Sequence, residues 1–389
     1  MNPLFQPTPE EAHLVEEINK YNNYEFALIR MTETMLDKSI IDASAQIRDI
    51  LLTSDIVDYD KVDQGGEKLY SHALVLRKDI HETKASYYRP QTKKGDPRFW
   101  IYGFKDLAPV DTLIYFTTIG QDLVAIPLTK EEDFQNLLPQ IFSDPEAEKA
   151  LEQLKEKLVL VKSAGWITSV SPFSTAPKDA GETLEKFLGV PVNNLKTPDF
   201  LGKIELKSKR DKAGTMDTLF GRVPDWDISN YKSVYDIVDK FGYVNVGDNV
   251  KRLYNDIKST PNSQGLYLLP DDQKAVLYQN FSKGGLTDDV CAWYYDTIKQ
   301  QLYSKHPSTL WVGADHRVEA GEYQYKFTTF ELTSRPLFAE FITLIKIDKI
   351  IYDWKARTLE TGKGVRNHGP GFRVKPSHKR QLFKELIEL

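Results

Sequence analysis

A change of pattern near Thr129 limits the folds open to this chain more than any other feature. Between Tyr70 and Leu128, short β-branched and aromatic runs follow one another closely, namely YSHALVLRK, ASYYRP, RFWIYGF, DTLIYFTT and DLVAIPL. Such runs predict strands, and many short strands in close succession favour a small barrel or a sandwich. Gly120, between the last two runs, predicts a hairpin. The pattern therefore indicates a mainly β domain that ends before Thr129.

The remaining sequence predicts a linker and a second domain. With 389 residues, the chain is long enough for two or three domains. We predict a mainly β domain in residues 1–130, a charged, helical linker in 131–160 and an α/β domain in 161–389. Within the last domain we expect helices in AGETLEKFLGV, VYDIVDKFG and DDVCAWYYDTIKQQLYSK, and strands in KIELKSK and LIKIDKIIYDWK.

Composition excludes several kinds of chemistry. The single cysteine, Cys291, rules out a disulfide framework and a cysteine-based zinc site, and the seven histidines form no HExxH-type pair. Carboxylates therefore remain as ligands for a hard cation. No apolar run approaches the roughly 20 residues needed to span a bilayer. The acidic N-terminal segment does not resemble a signal peptide, so we expect a cytoplasmic protein.

Charge is distributed unevenly along the chain. The formal net charge is -5, yet residues 346–389 contain eleven Lys and Arg against five Asp and Glu. A basic segment of this kind could contact a polyanion. A solvated basic helix and loop would give the same count, so charge alone does not decide between the two.

One charged strand carries the strongest signal for chemistry. In TPDFLGKIELKSK, residues 197–209, alternation along a strand places Lys203, Glu205 and Lys207 on one side and the apolar residues between them on the other. The apolar side would anchor the strand, and the charged side would remain available. A half-exposed strand with cross-strand ion pairs would show the same alternation.

The same segment can form a metal site. A bend at FLG would bring Asp199 beside Glu205, and Mg²⁺ would relieve the repulsion between these carboxylates while also taking the Leu206 carbonyl as a ligand. Such an ion activates water and stabilises charge at a scissile phosphate. Lys207 would orient the attacking water or neutralise the phosphate. We therefore predict Mg²⁺ as the cofactor, bound by Asp199, Glu205 and Leu206.

A second E-x-K triplet provides an internal comparison. In KDIHETK, Glu82 and Lys84 lack the apolar neighbours that would anchor a buried strand, so we expect no catalytic role for them.

A third carboxylate is predicted from the helical run ETLEKFLG. Leu184, Phe187 and Leu188 would form its apolar stripe, which places Glu185 at the border and Glu182 on the far face. A border residue can reach a site on the adjacent sheet, so we choose Glu185 as the further catalytic residue.

Several motifs in this half of the chain occur in the order found in a known family. GWITSV, AGETLEKFLG, NNLKTPDFLGKIELKSKR and TLF resemble the core of MvaI/BcnI-type restriction endonucleases, relatives of the MutH-like nucleases in the PD-(D/E)XK superfamily. The resemblance implies a mixed-sheet nuclease domain. It also implies a Mg²⁺-dependent, monomeric enzyme whose catalytic residues are Asp199, Glu205, Lys207 and Glu185.

Near the C-terminus, VRNHGPGFRV is similar to the HG-x-x-FR segment with which these enzymes read base edges. Arginine makes bidentate contacts to guanine, which suits a G/C-rich site. A Gly/Pro turn with solvated basic residues is the alternative interpretation. The resemblance implies DNA-binding roles for Arg366, His368 and Arg373, and, through YDWK, for Asp353 and Lys355.

The N-terminal segment resembles another DNA-binding module. YEFALIRMTETMLDKS and SYYRPQTKKGDPRFWIYGF are similar to the N-terminal effector domain of EcoRII, a B3-like pseudobarrel that clamps the major groove with two arms. Ordinary exposed charges in loops are the alternative. The arm residues implied by the resemblance are Arg30, Thr32, Asp37 and Lys38, followed by Arg89, Lys93, Lys94, Asp96 and Arg98.

Together, the two resemblances imply a two-site, effector-stimulated type II restriction endonuclease. Such an enzyme binds two copies of its site in double-stranded DNA and cuts at CC-W-GG or CC-S-GG. The EcoRII-type module favours CC-W-GG. The open alternatives are a sequence-specific DNA-binding protein with an inert nuclease core, a CC-S-GG enzyme and a MutH-like nicking nuclease.

Overall fold

The computed structural model describes residues 3–22, 24–129, 134–191, 197–211, 214–361 and 364–389, with the side chain of Lys93 left out. The chain divides into two compact units, Met1–Asp144 (unit 1) and Pro145–Leu389 (unit 2). This division falls within the segment that the sequence assigns to a linker.

Unit 1 contains short helices and one sheet. Its helices are α1 (Pro9–Tyr21), α2 (Glu33–Lys38), α3 (Ala45–Thr53), α4 (Phe104–Leu107) and α5 (Leu138–Phe142), with 3-10 turns at Tyr59–Lys61, Lys93–Gly95 and Phe134–Leu137. Its strands are β1 (Ala27–Arg30), β2 (Ile41–Asp42), β3 (Leu69–Leu76), β4 (Ile80–Tyr88), β5 (Arg98–Ile101), β6 (Leu113–Ile119) and β7 (Asp122–Pro127). The hairpin predicted at Gly120 joins β6 to β7.

Both faces of the sheet in unit 1 are buried. Successive side chains of a strand point to opposite faces, and each face packs against its own hydrophobic core. The strand order is β1-β6-β7-β3-β4-β5-β2, and β3 pairs with β7 in parallel. Ile114 and Phe116 pack into the core that includes α3, whereas Leu113 and Tyr115 pack into the core that includes α1 and α5. Within the described residues the outer strands β1 and β2 do not pair with each other. The sheet is thus an open half-barrel, and a B3-like pseudobarrel stays a prediction.

Unit 2 mixes helices with three sheets. Its helices are α6 (Pro145–Ala164), α7 (Asp179–Leu188), α8 (Val234–Phe241), α9 (Tyr295–Lys305), α10 (Phe338–Lys346) and α11 (Lys379–Leu382), with a 3-10 turn at Pro376–His378. Its strands are β8 (Ile167–Thr168), β9 (Ile204–Arg210), β10 (Asp217–Gly221), β11 (Tyr243–Val244), β12 (Lys251–Ile257), β13 (Leu266–Asp271), β14 (Val276–Lys283), β15 (Leu286–Tyr294), β16 (Ser308–Glu319), β17 (Glu322–Pro336), β18 (Ile350–Thr358), β19 (Val365–Asn367), β20 (Gly371–Val374) and β21 (Phe383–Glu388).

The sheets of unit 2 have distinct strand orders. One sheet runs β21-β17-β16-β9 with β8 on β17, the second runs β10-β20-β18-β12-β11 with β19 on β18, and the third runs β13-β14-β15. Strand β9 pairs with β16 in parallel, whereas its neighbours in the first sheet pair antiparallel. The mixed α/β architecture predicted for this part of the chain is confirmed. No helix in the described ranges has both the length and the apolar character to cross a membrane.

Two element predictions in unit 2 are wrong. DDVCAWY, predicted as helix, continues strand β15 because it pairs with β14, and helix α9 begins only at Tyr295. LIK, predicted as strand, completes helix α10, and strand β18 begins at Ile350. In both places a strand and a helix adjoin within a few apolar residues, where periodicity cannot set the boundary.

Candidate active site

A tight turn before β9 brings together Asp199 and Glu205, hereafter the acidic pair. Gly202 has a left-handed φ of 70°. Across the turn, the Phe200 N–H donates to the carbonyl of Ile204 at 2.8 Å. The chain therefore reverses direction at FLG, as the sequence predicts.

The acidic pair converges on one cation. The Leu206 N–H donates to Asp199 Oδ2 at 3.0 Å, which fixes this carboxylate beside β9. The Lys305 ammonium lies 3.9 Å from Asp199 Oδ1 and 2.8 Å from Glu205 Oε2. Because both carboxylates contact the same nitrogen, they lie on the same side of the sheet.

Strand β9 separates the apolar support from the charged site. Ile204 and Leu206 pack into the core formed with α6 and α7. The Glu205 side chain is only 1% exposed, and Lys207 Nζ donates to its Oε1 at 2.5 Å. Burial raises the pKa of Glu205, and the charges of Lys207 and Lys305 oppose that rise. The sequence-based expectation of an available charged face holds for Lys207, which is 29% exposed, but not for Glu205.

Helix α7 places Glu185 near the acidic pair. The helix ends at Gly189, whose φ is 74°. Burial raises the pKa of Glu185, and the charge of Asp199 is the next largest cause. Glu182 instead pairs with Lys178 at 2.8 Å. Glu185 thus lies within reach of the Asp199 charge, and its catalytic role stays a prediction.

One member of the stripe predicted for α7 is wrong. Phe187 is 39% exposed, whereas Thr183, Leu184 and Leu188 are buried. The buried side of the helix is thus narrower than its apolar residues suggest, and Thr183 completes it with a hydrogen bond to the Asp179 carbonyl at 2.6 Å.

His306 anchors the end of helix α9 and so positions Lys305. Its ring is buried, and Nε2 contacts the Leu219 carbonyl at 2.9 Å while Nδ1 contacts Thr309 Oγ1 at 2.8 Å. The Nε2–H therefore donates to the carbonyl, and Nδ1 accepts from the hydroxyl. Burial lowers the pKa of His306 to about 3, which keeps the ring neutral at pH 7.

Sequence reasoning missed Lys305 and His306. Lys305 ends a helical run that carries no metal-ligand or catalytic spacing, His306 follows it, and both are distant in sequence from Glu205. The parallel register that sets Thr309 opposite Glu205 brings the end of α9 to the site. No local signal in the sequence indicates this pairing.

A cationic cleft in unit 2 is lined by one predicted catalytic residue and by two of the predicted DNA-reading residues. Its volume is about 650 Å³, and Lys207 lines it together with Lys355 and Arg373. In the described part of the chain, three acidic side chains line it against seven basic ones: Lys178, Lys207, Lys209, Arg210, Lys355, Arg373 and Lys379. A cleft with this excess of positive charge attracts a polyanion.

The predicted DNA-reading residues of unit 2 fall into two groups. Asp353 is mostly buried and lies 2.7 Å from Arg373 Nη2 and 3.4 Å from Lys355 Nζ. Burial raises the pKa of Asp353 to about 6, against the charge of Arg373. Arg366 and His368 are exposed on β19 and the turn after it, outside the residues that line the cleft. The structure thus joins the side chains of Arg373, Lys355 and Asp353, whereas His368 meets this group only through its backbone N–H, which donates to the Lys355 carbonyl at 2.8 Å.

Arg30 requires a correction. Its side chain is 2% exposed and pairs with both oxygens of Glu11, at 2.9 and 2.7 Å. It also donates to the carbonyls of Pro3, Gln6 and Asp111. Because the guanidinium is buried and fully engaged within unit 1, it anchors the N-terminal segment and is not available to a DNA-binding arm.

The other predicted arm residues of unit 1 lie at or near its surface. Thr32 caps helix α2 by accepting from the Met35 N–H at 3.2 Å. Arg89 donates to the Gly95 carbonyl at 2.9 Å, and Arg98 pairs with Asp42 at 3.2 Å. The Lys93 side chain lies outside the described residues. The exposed residues of the predicted arms are Asp37, Lys38, Lys94 and Asp96.

The donor set at the acidic pair fits a hard divalent cation. Its two carboxylates converge on one cation, and carboxylate oxygens are the ligands that Mg²⁺ prefers. Among the described residues, no group of three or more His, Cys, Asp or Glu is arranged to hold a metal. A metal at the acidic pair would therefore need further ligands from backbone, water or substrate, as is usual for Mg²⁺.

Most of the sequence of unit 2 matches a known protein family. Residues 155–383, more than half of the chain, match the MvaI/BcnI restriction endonuclease family. The chain belongs to this family. No curated protein matches it.

A solved structure shares the fold of much of this chain. The MvaI complex with its cognate DNA substrate is similar at a TM-score of 0.53 and 22% identity, over 61% of this chain and 97% of MvaI. MvaI in the absence of DNA gives a TM-score of 0.40 at the same identity and coverage. The first of these shows a shared fold.

Proposed function

We propose that the protein is a two-site type II restriction endonuclease that hydrolyses phosphodiester bonds in double-stranded DNA at a CCWGG-like site. The observation that carries the proposal is the acidic pair, which converges on Lys305 and contacts, through Glu205, Lys207 of the cationic cleft. The family match supports the same conclusion.

The roles of the residues follow from their contacts. Asp199, Glu205 and the Leu206 carbonyl would hold Mg²⁺, which activates water and offsets charge on the scissile phosphate. Lys207, in contact with Glu205 and lining the cleft, orients the attacking water or neutralises the phosphate. Glu185, whose pKa is raised by burial and by the charge of Asp199, supports the acidic pair from α7.

Target recognition is assigned to the cationic cleft. Arg373 lines the cleft with its guanidinium next to Asp353, which orients the donors that guanine recognition needs. Lys355 adds a second cation, and Arg366 and His368 extend the contact along the DNA. The preference for CC-W-GG over CC-S-GG rests on the resemblance of unit 1 to the EcoRII effector domain.

Unit 1 is assigned the role of effector module. Its open sheet and the exposed charges of Asp37, Lys38, Lys94 and Asp96 are compatible with a B3-like domain whose two arms hold a second copy of the site. The combination of modules resembles that of the restriction enzyme UbaLAI. We assign unit 2 as the nuclease and the protein as a cytoplasmic monomer.

Plasmid cleavage tests the proposal. We expect plasmids that carry CCWGG sites to be cut in the presence of Mg²⁺, and EDTA to abolish cutting because the acidic pair then holds no divalent ion. Sequencing the ends should place the cut between the second C and the central base. Binding without cleavage in Mg²⁺ would instead favour a DNA-binding protein with an inert nuclease core.

A further inference from the structure

Lys305 lies where the acidic pair would hold a metal. Its ammonium contacts Glu205 Oε2 at 2.8 Å and Asp199 Oδ1 at 3.9 Å, and it donates to the Thr197 carbonyl at 3.3 Å. Two carboxylates and a backbone carbonyl thus surround this single nitrogen. Oxygen groups of these kinds also bind hard divalent cations.

The two lysines of the site differ in position. Lys207 contacts the other oxygen of Glu205 and lines the cationic cleft, so it faces the place where DNA would lie. Lys305 is only 16% exposed, is absent from the described lining of the cleft, and contacts both acids. Lys305 is therefore the cation that the acidic pair shares.

Charge explains why an internal cation is useful there. Asp199, Glu205 and Glu185 bring three carboxylates together, and repulsion between them is strong at buried sites. An ammonium between Asp199 and Glu205 offsets that repulsion when no metal is bound. A divalent ion between the same oxygens would compete with it for position and for charge.

We propose that Lys305 is an internal counter-ion that occupies the cation position of the acidic pair in the metal-free protein and is displaced when a divalent cation binds. The inference rests on the proposed function, because it assigns the metal to Asp199 and Glu205. His306 fixes the end of α9 through its two ring contacts, so displacement moves the flexible Lys305 side chain and leaves the helix in place.

The Lys305→Met variant tests this role through metal binding without cleavage. Calorimetric titration of the full chain with Ca²⁺ should show affinity at least about tenfold tighter than wild type, because no ammonium has to be displaced. In EDTA, the variant should melt about 5 °C lower than wild type, because the acidic pair loses the cation that contacts both of its carboxylates. Saturating Ca²⁺ should remove that difference.

Control variants separate this role from a general loss of charge. Lys346 lies on α10, outside the residues that line the cleft, and its ammonium pairs with Asp272. Lys346→Met removes this ammonium and should leave Ca²⁺ affinity unchanged. Lys305→Arg keeps the charge and should keep wild-type stability in EDTA. If Lys305→Met does not fold in EDTA, Lys305→Gln takes its place, since an amide can still donate to Glu205 without a charge.

Two results would overturn the inference. Equal or weaker Ca²⁺ binding by Lys305→Met would show that Lys305 does not compete with the metal. Equal melting temperatures of variant and wild type in EDTA would show that Lys305 does not stabilise the acidic pair as a counter-ion. The proposed function fails in a different way: neither Ca²⁺ nor Mn²⁺ would bind to wild type or variant at any concentration that leaves the protein folded.

Discussion

Replacing Lys207 with methionine is expected to lower the single-turnover rate of DNA cleavage by about 100- to 1000-fold. The Lys207 ammonium contacts Glu205 at 2.5 Å and lines the cationic cleft, so it lies where negative charge develops on the phosphate. Methionine keeps the length of the side chain but cannot offset that charge or orient water. The rate should be measured with enzyme in excess over a duplex that contains one CCWGG site.

Lys209→Met is the matched control for this change. Lys209 lies two residues further along β9 and lines the same cleft, but it pairs with Asp217 at 3.0 Å instead of with a member of the acidic pair. We expect Lys209→Met to weaken DNA binding and to cleave bound DNA within about tenfold of the wild-type rate. Equal losses of rate in the two variants would show that Lys207 contributes only its charge to the cleft.

Arg373→Lys is expected to remove most of the discrimination between cognate and non-cognate DNA. A bidentate arginine contact to guanine contributes about 1 to 3 kcal/mol of discrimination, and lysine cannot reproduce its planar geometry. Lysine retains a positive charge beside Asp353, so the buried carboxylate keeps a cationic partner. Fluorescence anisotropy at fixed salt should show weaker binding to a CCWGG duplex, by about 5- to 150-fold.

The non-cognate duplex provides the control in the same experiment. Phosphate contacts are independent of sequence, so Arg373→Lys should bind a shuffled duplex almost as well as wild type does. If affinity falls equally for both duplexes, Arg373 contacts the phosphate backbone, and recognition of the bases lies elsewhere in the cleft.

Local chemistry accounts for the parts of the site that could be predicted from sequence. The FLG turn, the alternation along β9 and the end of α7 at Gly189 each depend on a few neighbouring residues. Alternation alone directs Glu205 away from the apolar face, and the turn alone returns Asp199 to the same strand. These features can be predicted from the sequence because each follows from the local geometry of the backbone.

Tertiary contacts account for what could not be predicted. Lys305 reaches the acidic pair because β16 pairs with β9 in parallel, and no local pattern specifies that register. Arg30 looks like any exposed strand residue in sequence, yet Glu11 and three carbonyls hold it inside unit 1. Strand β15 and helix α9 adjoin in an apolar run, so their boundary depends on pairing with β14.

The central claim is that Asp199 and Glu205 hold one divalent ion for catalysis, and Asp199→Asn tests it most directly. The amide can still accept the Leu206 N–H but loses the charge that a metal requires. Cleavage in Mg²⁺ and DNA binding in EDTA should be measured on the same preparation, with Asp217→Asn, which changes an acid of the cationic cleft, as the control. The account predicts that Asp199→Asn binds DNA at least as well as wild type and does not cleave it. Cleavage by Asp199→Asn at the wild-type rate would contradict the account.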